Sequence, residues 1–150
     1  MRIILQRVSE ASVRIDGRVS GCIGKGFVIL LGIVDGDGQE DIDWLAGKVA
    51  RMRVFADDQG KMNRCLEDVD GELLVVSQFT LHASTRKGNR PSFIKAARPE
   101  TAIPLYRQFI SALEQETGKP CAAGEFGADM QVALINDGPV TIMVDSELRE

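Results

Sequence analysis

Histidine, cysteine and the aromatic residues are scarce in this sequence. One histidine (His82), three cysteines (Cys22, Cys65, Cys121), one tryptophan and one tyrosine are spread over 150 residues. The cysteines are odd in number, widely spaced and form no CxxC pair. A structural zinc wants four thiolate or imidazole ligands, so no metal site is expected. The loop Asp35-Gly36-Asp37-Gly38 lacks the spacing and closing glutamate of a calcium-binding EF-hand. Free thiols fit a reducing, cytoplasmic compartment. No apolar run approaches the ~18 residues of a membrane helix, so no membrane contact is expected. The opening residues return to charge too soon, at Arg7, for a secretory signal.

What is present is the composition of one folded domain. The hydrophobic fraction is 44% and the charged fraction 27%, which excludes a disordered chain. The length suits a single domain over residues 1–150 that needs no disulfide or metal staple. A net charge of −4 argues against coating nucleic acid or anionic membrane through bulk charge.

Hydrophobic patterning predicts strands at Arg2 to Val8 and Ala11 to Ile15. Asp16-Gly17 is suited to a hairpin turn, with Arg18 to Ile23 returning. The unbroken run Phe27 to Val34 predicts a strand covered on both faces. Ile42, Leu45, Val49 and Met52 fall at helical spacing behind the acidic Gln39-Glu40-Asp41. Val54-Phe55-Ala56 reads as extended, and Glu72 to Phe79 as a further strand. A second helix runs from Thr101 to Thr117, stopped by Gly118 with Pro120 behind it. The last elements are a pair of strands, Met130 to Ile135 and Val140 to Val144, joined by Asn136-Asp137-Gly138-Pro139. There is no repeat or linker. The expected fold is a single mixed α/β domain, strand-rich and mostly antiparallel, with two main helices.

Charge is unevenly placed. Ser84 to Arg98 carries Arg86, Lys87, Arg90, Lys95 and Arg98 with no acid, a local charge of +5. Elsewhere 13 basic residues face 22 acidic ones, a balance of −9. Such a stretch suits phosphate contact, and equally a solvated loop. Polar groups also gather where the Glu72 strand ends, at Ser77, Gln78 and Thr80. Strand alternation would set Gln78 and Thr80 on one side, with Ser77 and Phe79 opposite. Thr80 is a candidate nucleophile, but no base is suggested for it. His82 lies two residues on, and a lone histidine is more often a packed or surface residue than a catalytic one.

Three segments carry a resemblance: Ser77-Gln78-Phe79-Thr80, Gly88-Asn89-Arg90-Pro91-Ser92-Phe93, and Asn136-Asp137-Gly138-Pro139-Val140-Thr141. With Gln6-Arg7-Val8 and the run Phe126 to Met130, they resemble the D-aminoacyl-tRNA deacylases over essentially the whole chain. The resemblance implies a homodimer of barrel-like sheets, without a cofactor, that hydrolyses the ester between a D-amino acid and the 3′ end of tRNA. It also implies acceptance of the glycyl ester. Gly138 and Pro139 would form a cis peptide that enters the partner's active site as a chiral gate. An X-Pro bond takes the cis form at modest cost, and the missing Cβ of glycine lets backbone approach a ligand.

Within that resemblance Ser77, Gln78 and Thr80 are the catalytic candidates. Gln78 and Thr80 would orient the ester or stabilise its oxyanion, with help from the terminal 2′-hydroxyl of the RNA. Phe93 and Met130 are candidate pocket walls, and either would serve equally as core. Arg7 braces the Gly138 loop or sits on an exposed face. Arg86, Lys87, Arg90 and Lys95 would contact tRNA. Two other functions compete. One is an RNA-binding module without activity. The other is a hydrolase using Ser77 or Cys121 with His82, which lacks a GxSxG elbow.

Overall fold

The computed structural model describes residues 1–149. Strand β1 (Arg2–Ile15) is long enough to serve three partners. Its first half pairs antiparallel with β3 (Gly26–Gly32), and its second half with β2 (Arg18–Ile23). Strand β8 (Gln131–Asp145) runs antiparallel along its other edge. Beyond β3 the sheet continues in parallel through β6 (Glu72–Ser77) to the short β7 (Ala122–Ala123). The chain reaches β6 by helix α1 (Gln39–Arg51) and a small hairpin of β4 (Phe55–Ala56) and β5 (Met62–Arg64). Helix α2 (Pro99–Thr117) links β6 to β7 and ends at Gly118 in a left-handed conformation.

The edges of β2 and β7 nearly meet. Ser20 of β2 donates to the carbonyl of Ala123 in β7 at 3.1 Å, and Gly21 passes close to the same strand. The result is a mixed, barrel-like sheet with α1 and α2 packed together on it. Alternation explains its two cores. Phe27, Ile29 and Leu31 of β3, with Leu73 and Val75 of β6, join the cluster that includes Leu45, Phe109 and Leu113 of the helices. Val28, Leu74 and Val76 turn the other way, onto Val8, Val13 and Ile23. At Gly26 the chains approach so closely that a Cβ would lie 1.9 Å from the carbonyl oxygen of Glu72.

Three expectations are corrected. The two predicted opening strands are one continuous β1. The Glu72 strand stops at Ser77, and Phe79–His82 forms a 3-10 helical turn, so strand alternation does not govern Thr80. The last two strands do not pair with each other. Both lie end to end on β1 as parts of β8, and the Asn136–Pro139 region is an outward excursion within it. Turn chemistry there is real, but pairing to β1 on both sides outweighs it.

Candidate active site

Residue Gln78 extends the β3–β6 ladder by one bond, donating to the Leu31 carbonyl at 2.7 Å. The chain then folds into the turn, closed by Leu81 N–H to Gln78 O (3.2 Å) and Ala83 N–H to Thr80 O (3.1 Å). Arg2 fixes it from outside, donating from Nη1 to Leu81 O and from Nε to the Asp145 carboxylate, both at 2.8 Å. Burial alone would raise the Asp145 pKa. The Arg2 bond, the Glu147 N–H and nearby positive charge outweigh it and hold the carboxyl below its ordinary value.

Within the turn, Gln78 Nε2 donates to Thr80 Oγ1. Among the described residues, no carboxylate or imidazole hydrogen-bonds to Thr80. The first N–H groups of a helical turn have no partner within it. Those of Phe79 and Thr80 donate to no backbone carbonyl among the described residues. The turn therefore offers a hydroxyl and two N–H donors, and no base aimed at the hydroxyl.

Ser77, Gln78 and Phe79 line a cleft of about 260 Å³, and Thr80 is not among its walls. Leu31, Ile33, Val76, Ala97 and Ala102 add apolar wall, and Phe126, Gly127, Ala128, Met130 and Val132 complete the lining. Met130 is packed tightly, since a Cβ on Gly124 would come 2.4 Å from its sulfur. Phe126 meets Tyr106 edge to face at 5.9 Å. The Tyr106 hydroxyl is buried and donates toward the carbonyls of Val75 (3.2 Å) and Gly124 (3.3 Å). Burial, with a contribution from Cys121, raises its pKa to about 12, so it remains a donor.

The second predicted element lies on β8. Gln6 faces Thr141 and Val8 faces Asn136, so Asp137, Gly138, Pro139 and Val140 together stand opposite Arg7 alone. The Gly138–Pro139 peptide is cis. Asn136 pinches the base of this bulge, accepting from Val140 N–H and donating to Thr141 Oγ1, both at 2.8 Å. Arg7, only 13% exposed, donates from Nε to the Asp137 carbonyl (2.8 Å) and from Nη1 to the Val54 carbonyl (2.6 Å). It braces the loop. Gly138 and Pro139 themselves are exposed and form no part of the cleft in their own chain.

The structure thus sets Ser77, Gln78 and Met130 around one cleft, with Thr80 exposed beside it and bonded to Gln78, and separately groups Arg7, Gly138 and Pro139. Phe93 is not a wall of the cleft. Its ring meets Phe79 edge to face outside it. Arg86, Lys87 and Arg90 are exposed on a loop whose ends, Ser84 and Ser92, form a two-residue bridge, and Lys95 lies just beyond. His82 is 8% exposed, and its Nε2 has no hydrogen-bond partner among the described residues. Burial, then the charge of Glu114, push the Cys121 thiol up to about 12, where it is no nucleophile. Sequence reasoning missed Phe126 as a wall and Asn136 as a clamp. Both lie in segments noted for their resemblance, but nothing local in them signals those contacts.

A family model described as D-Tyr-tRNA(Tyr) deacylase matches residues 4–145. A Flavobacterium johnsoniae protein named D-aminoacyl-tRNA deacylase is 59% identical over 150 residues, covering all of both chains. One of the same name from Akkermansia muciniphila is 60% identical, again over all of both. A solved structure titled c-Myc DNA Unwinding Element Binding Protein superposes with a TM-score of 0.91 at 39% identity, covering 97% of this chain and 98% of that one. Another, titled as a probable eukaryotic D-amino acid tRNA deacylase, shares the fold with a TM-score of 0.81 at 17% identity. It covers 95% of this chain and 97% of the other.

Proposed function

The chain belongs to the D-Tyr-tRNA(Tyr) deacylase family, and from that premise we propose that it hydrolyses the ester joining a D-amino acid to the 3′ end of tRNA. The observation that carries this reading is the turn beside the cleft, where Gln78 holds the Thr80 hydroxyl and where, among the described residues, the Phe79 and Thr80 N–H groups have no backbone acceptor and no base meets the hydroxyl. An aminoacyl ester is already activated by its ammonium group and the neighbouring ribose hydroxyl. The site then needs chiefly orientation and oxyanion donors. Water adds to the ester carbonyl, the N–H groups of Phe79 and Thr80 hold the developing oxyanion, and the ribose oxygen leaves with a proton. Gln78 keeps the Thr80 hydroxyl oriented as a donor. The terminal 2′-hydroxyl of the RNA assists the attacking water, and the apolar cleft receives the terminal nucleoside against Phe126 and Met130.

Selection against L-esters falls to Gly138 and Pro139. They stand outside their own chain's cleft on a braced bulge, a position suited to the cleft of a second copy. The working enzyme is therefore a homodimer with two cross-subunit sites. Backbone carbonyls of the bulge accept from the substrate ammonium, and an L side chain would then run into the bulge. Glycyl ester, with no side chain to exclude, is also cleaved. Arg86, Lys87, Arg90 and Lys95 take phosphates of the tRNA, and the reaction is a cytoplasmic step of translation quality control.

A second reading, nucleic-acid binding without cleavage, draws on the exposed cations of the Ser84 to Arg98 segment and on the DNA-binding title of one structural relative. A deacylation time course on matched D-tyrosyl-, L-tyrosyl- and glycyl-tRNA separates the two. The D and glycyl esters should disappear with the L ester spared. Binding of all three with loss of none would favour the second reading.

A further inference from the structure

The turn holding Thr80 and the segment after it leave an apolar ridge uncovered beside the cleft. Phe79 is 54% exposed, Phe93 37% and Ile94 92%. The two rings meet edge to face with centroids 5.1 Å apart. Phe79 is also a wall of the cleft, so the ridge begins at its mouth. Clustered exposed apolar side chains mark a contact surface more often than isolated ones do.

Cations flank this ridge. Ser84 and Ser92 exchange backbone hydrogen bonds of 2.8 and 2.9 Å, pinning the root of the loop with Arg86, Lys87 and Arg90. Lys95 follows the ridge directly. Among the described residues, none of these four forms an ion pair. The chain then returns to the cleft, where Ala97 N–H donates to the Ile33 carbonyl at 2.9 Å. A loop with unpaired cations and exposed rings that leaves and re-enters the rim of one cleft has the composition of a single-strand nucleic-acid track. Phosphates neutralise the cations and bases stack on the apolar groups. Burying the same cations against protein would need a partner charge for each.

We propose that Phe79, Phe93 and Ile94 form a stacking ridge for the unpaired nucleotides that precede the aminoacylated end of the RNA, with the flanking cations on their phosphates. The inference rests on the deacylase reading and extends it to the polymer beyond the terminal nucleotide.

The test compares one ester on two carriers, D-tyrosyl-tRNA and 3′-O-D-tyrosyl-adenosine. Ile94→Ser and Phe93→Ala should each raise KM for the tRNA ester about tenfold, with kcat nearly unchanged. Ile94→Ser should leave the adenosine ester as it was, and Phe93→Ala should weaken it less than the tRNA ester. Replacing Arg86 and Lys87 by Gln should flatten the salt dependence of KM for the tRNA ester only. Equal losses on both carriers, or none on either, overturn the ridge. A change of oligomeric state in Ile94→Ser also overturns it, since the patch would then be a contact between copies. If the unmodified chain cleaves neither ester, the deacylase reading fails by itself. The ridge is then judged on uncharged tRNA, whose affinity should drop about tenfold in Ile94→Ser; unchanged affinity overturns it.

Discussion

Arg7 and Gly138 share one corner of the β8 bulge: a Cβ on Gly138 would lie 2.9 Å from Arg7 Nη2 and 2.8 Å from Val140 Cγ2. The φ of Gly138 is +140°, where an L side chain is strained even without neighbours. Gly138→Ala therefore has to move the bulge or displace Arg7. Expected is a stability loss of about 1–3 kcal/mol and a fall of about 100-fold in D-tyrosyl-tRNA hydrolysis. Thermal melts and a deacylation time course measure the two. Undiminished D-selective turnover would remove Gly138 from the gate.

The brace itself can be weakened without touching the bulge. Arg7 reaches two carbonyls, Asp137 and Val54, from different nitrogens of one rigid plane. A lysine ammonium does not span that fork. Arg7→Ala should cost about 2 kcal/mol and reduce the preference for D- over L-tyrosyl-tRNA, with Arg7→Lys falling between. A merely structural role would lower stability and leave the ratio of the two rates unchanged.

At Thr80 the competing roles are donor and nucleophile. Among the described residues, the only side-chain hydrogen bond to its hydroxyl comes from Gln78, which cannot take a proton from it. Thr80→Ala should lower kcat by roughly 100-fold, as for one lost oxyanion-type donor, and Thr80→Ser should restore most of it. No acyl-enzyme should accumulate when the wild type is quenched early with labelled ester. A trapped acyl-Thr80, or complete loss of turnover with intact binding, would reinstate the nucleophile.

Periodic elements were legible and non-local pairings were not. The apolar spacing of Ile42, Leu45 and Val49, and Gly118 behind Thr117, mark α1 and the end of α2 within a residue or two. The unbroken run from Phe27 marks β3, whose two faces do meet two cores. By contrast, nothing near Ser77 says that the strand must stop there. The turn is imposed by Leu31 and by the Arg2 side chain, 79 positions from the Leu81 carbonyl it binds. Likewise Asn136-Asp137-Gly138-Pro139 has the composition of a hairpin turn. Only the length of β1, which pairs on both sides of it, keeps the halves in line. At the site, Ser77, Gln78 and Met130 were legible as residues around a cleft, while Phe126 is made a wall by Tyr106, an α2 residue far from it in sequence.

Thiol chemistry at Cys121 is disfavoured by its surroundings at ordinary pH. With its pKa raised by burial and Glu114 to about 12, almost no thiolate exists near neutrality. A maleimide should label exposed Cys22 first and leave deacylation unchanged during that phase. Peptide mass spectrometry assigns the label. Inactivation that follows Cys121 modification would revive the cysteine hydrolase.

Asp145 links stability to pH through the same bracket that fixes the turn at Phe79–His82. Its carboxyl is held below the ordinary value by Arg2, the Glu147 N–H and nearby positive charge, against the opposing effect of burial. A depressed folded-state pKa contributes stability that is complete above the unfolded value, near pH 4. It is lost as pH falls through the folded value. Asp145→Asn keeps an acceptor for Glu147 but removes the charge facing Arg2. It should destabilise the chain by about 1–3 kcal/mol near pH 7, with the gap closing at an acid pH below the depressed folded value. Because Arg2 also holds the Leu81 carbonyl, kcat should fall in the variant even where it is fully folded. Urea titrations at both pH values, with turnover measured near neutrality, test the link. A stability gap of equal size at both would mean that the charge of Asp145 is not what matters.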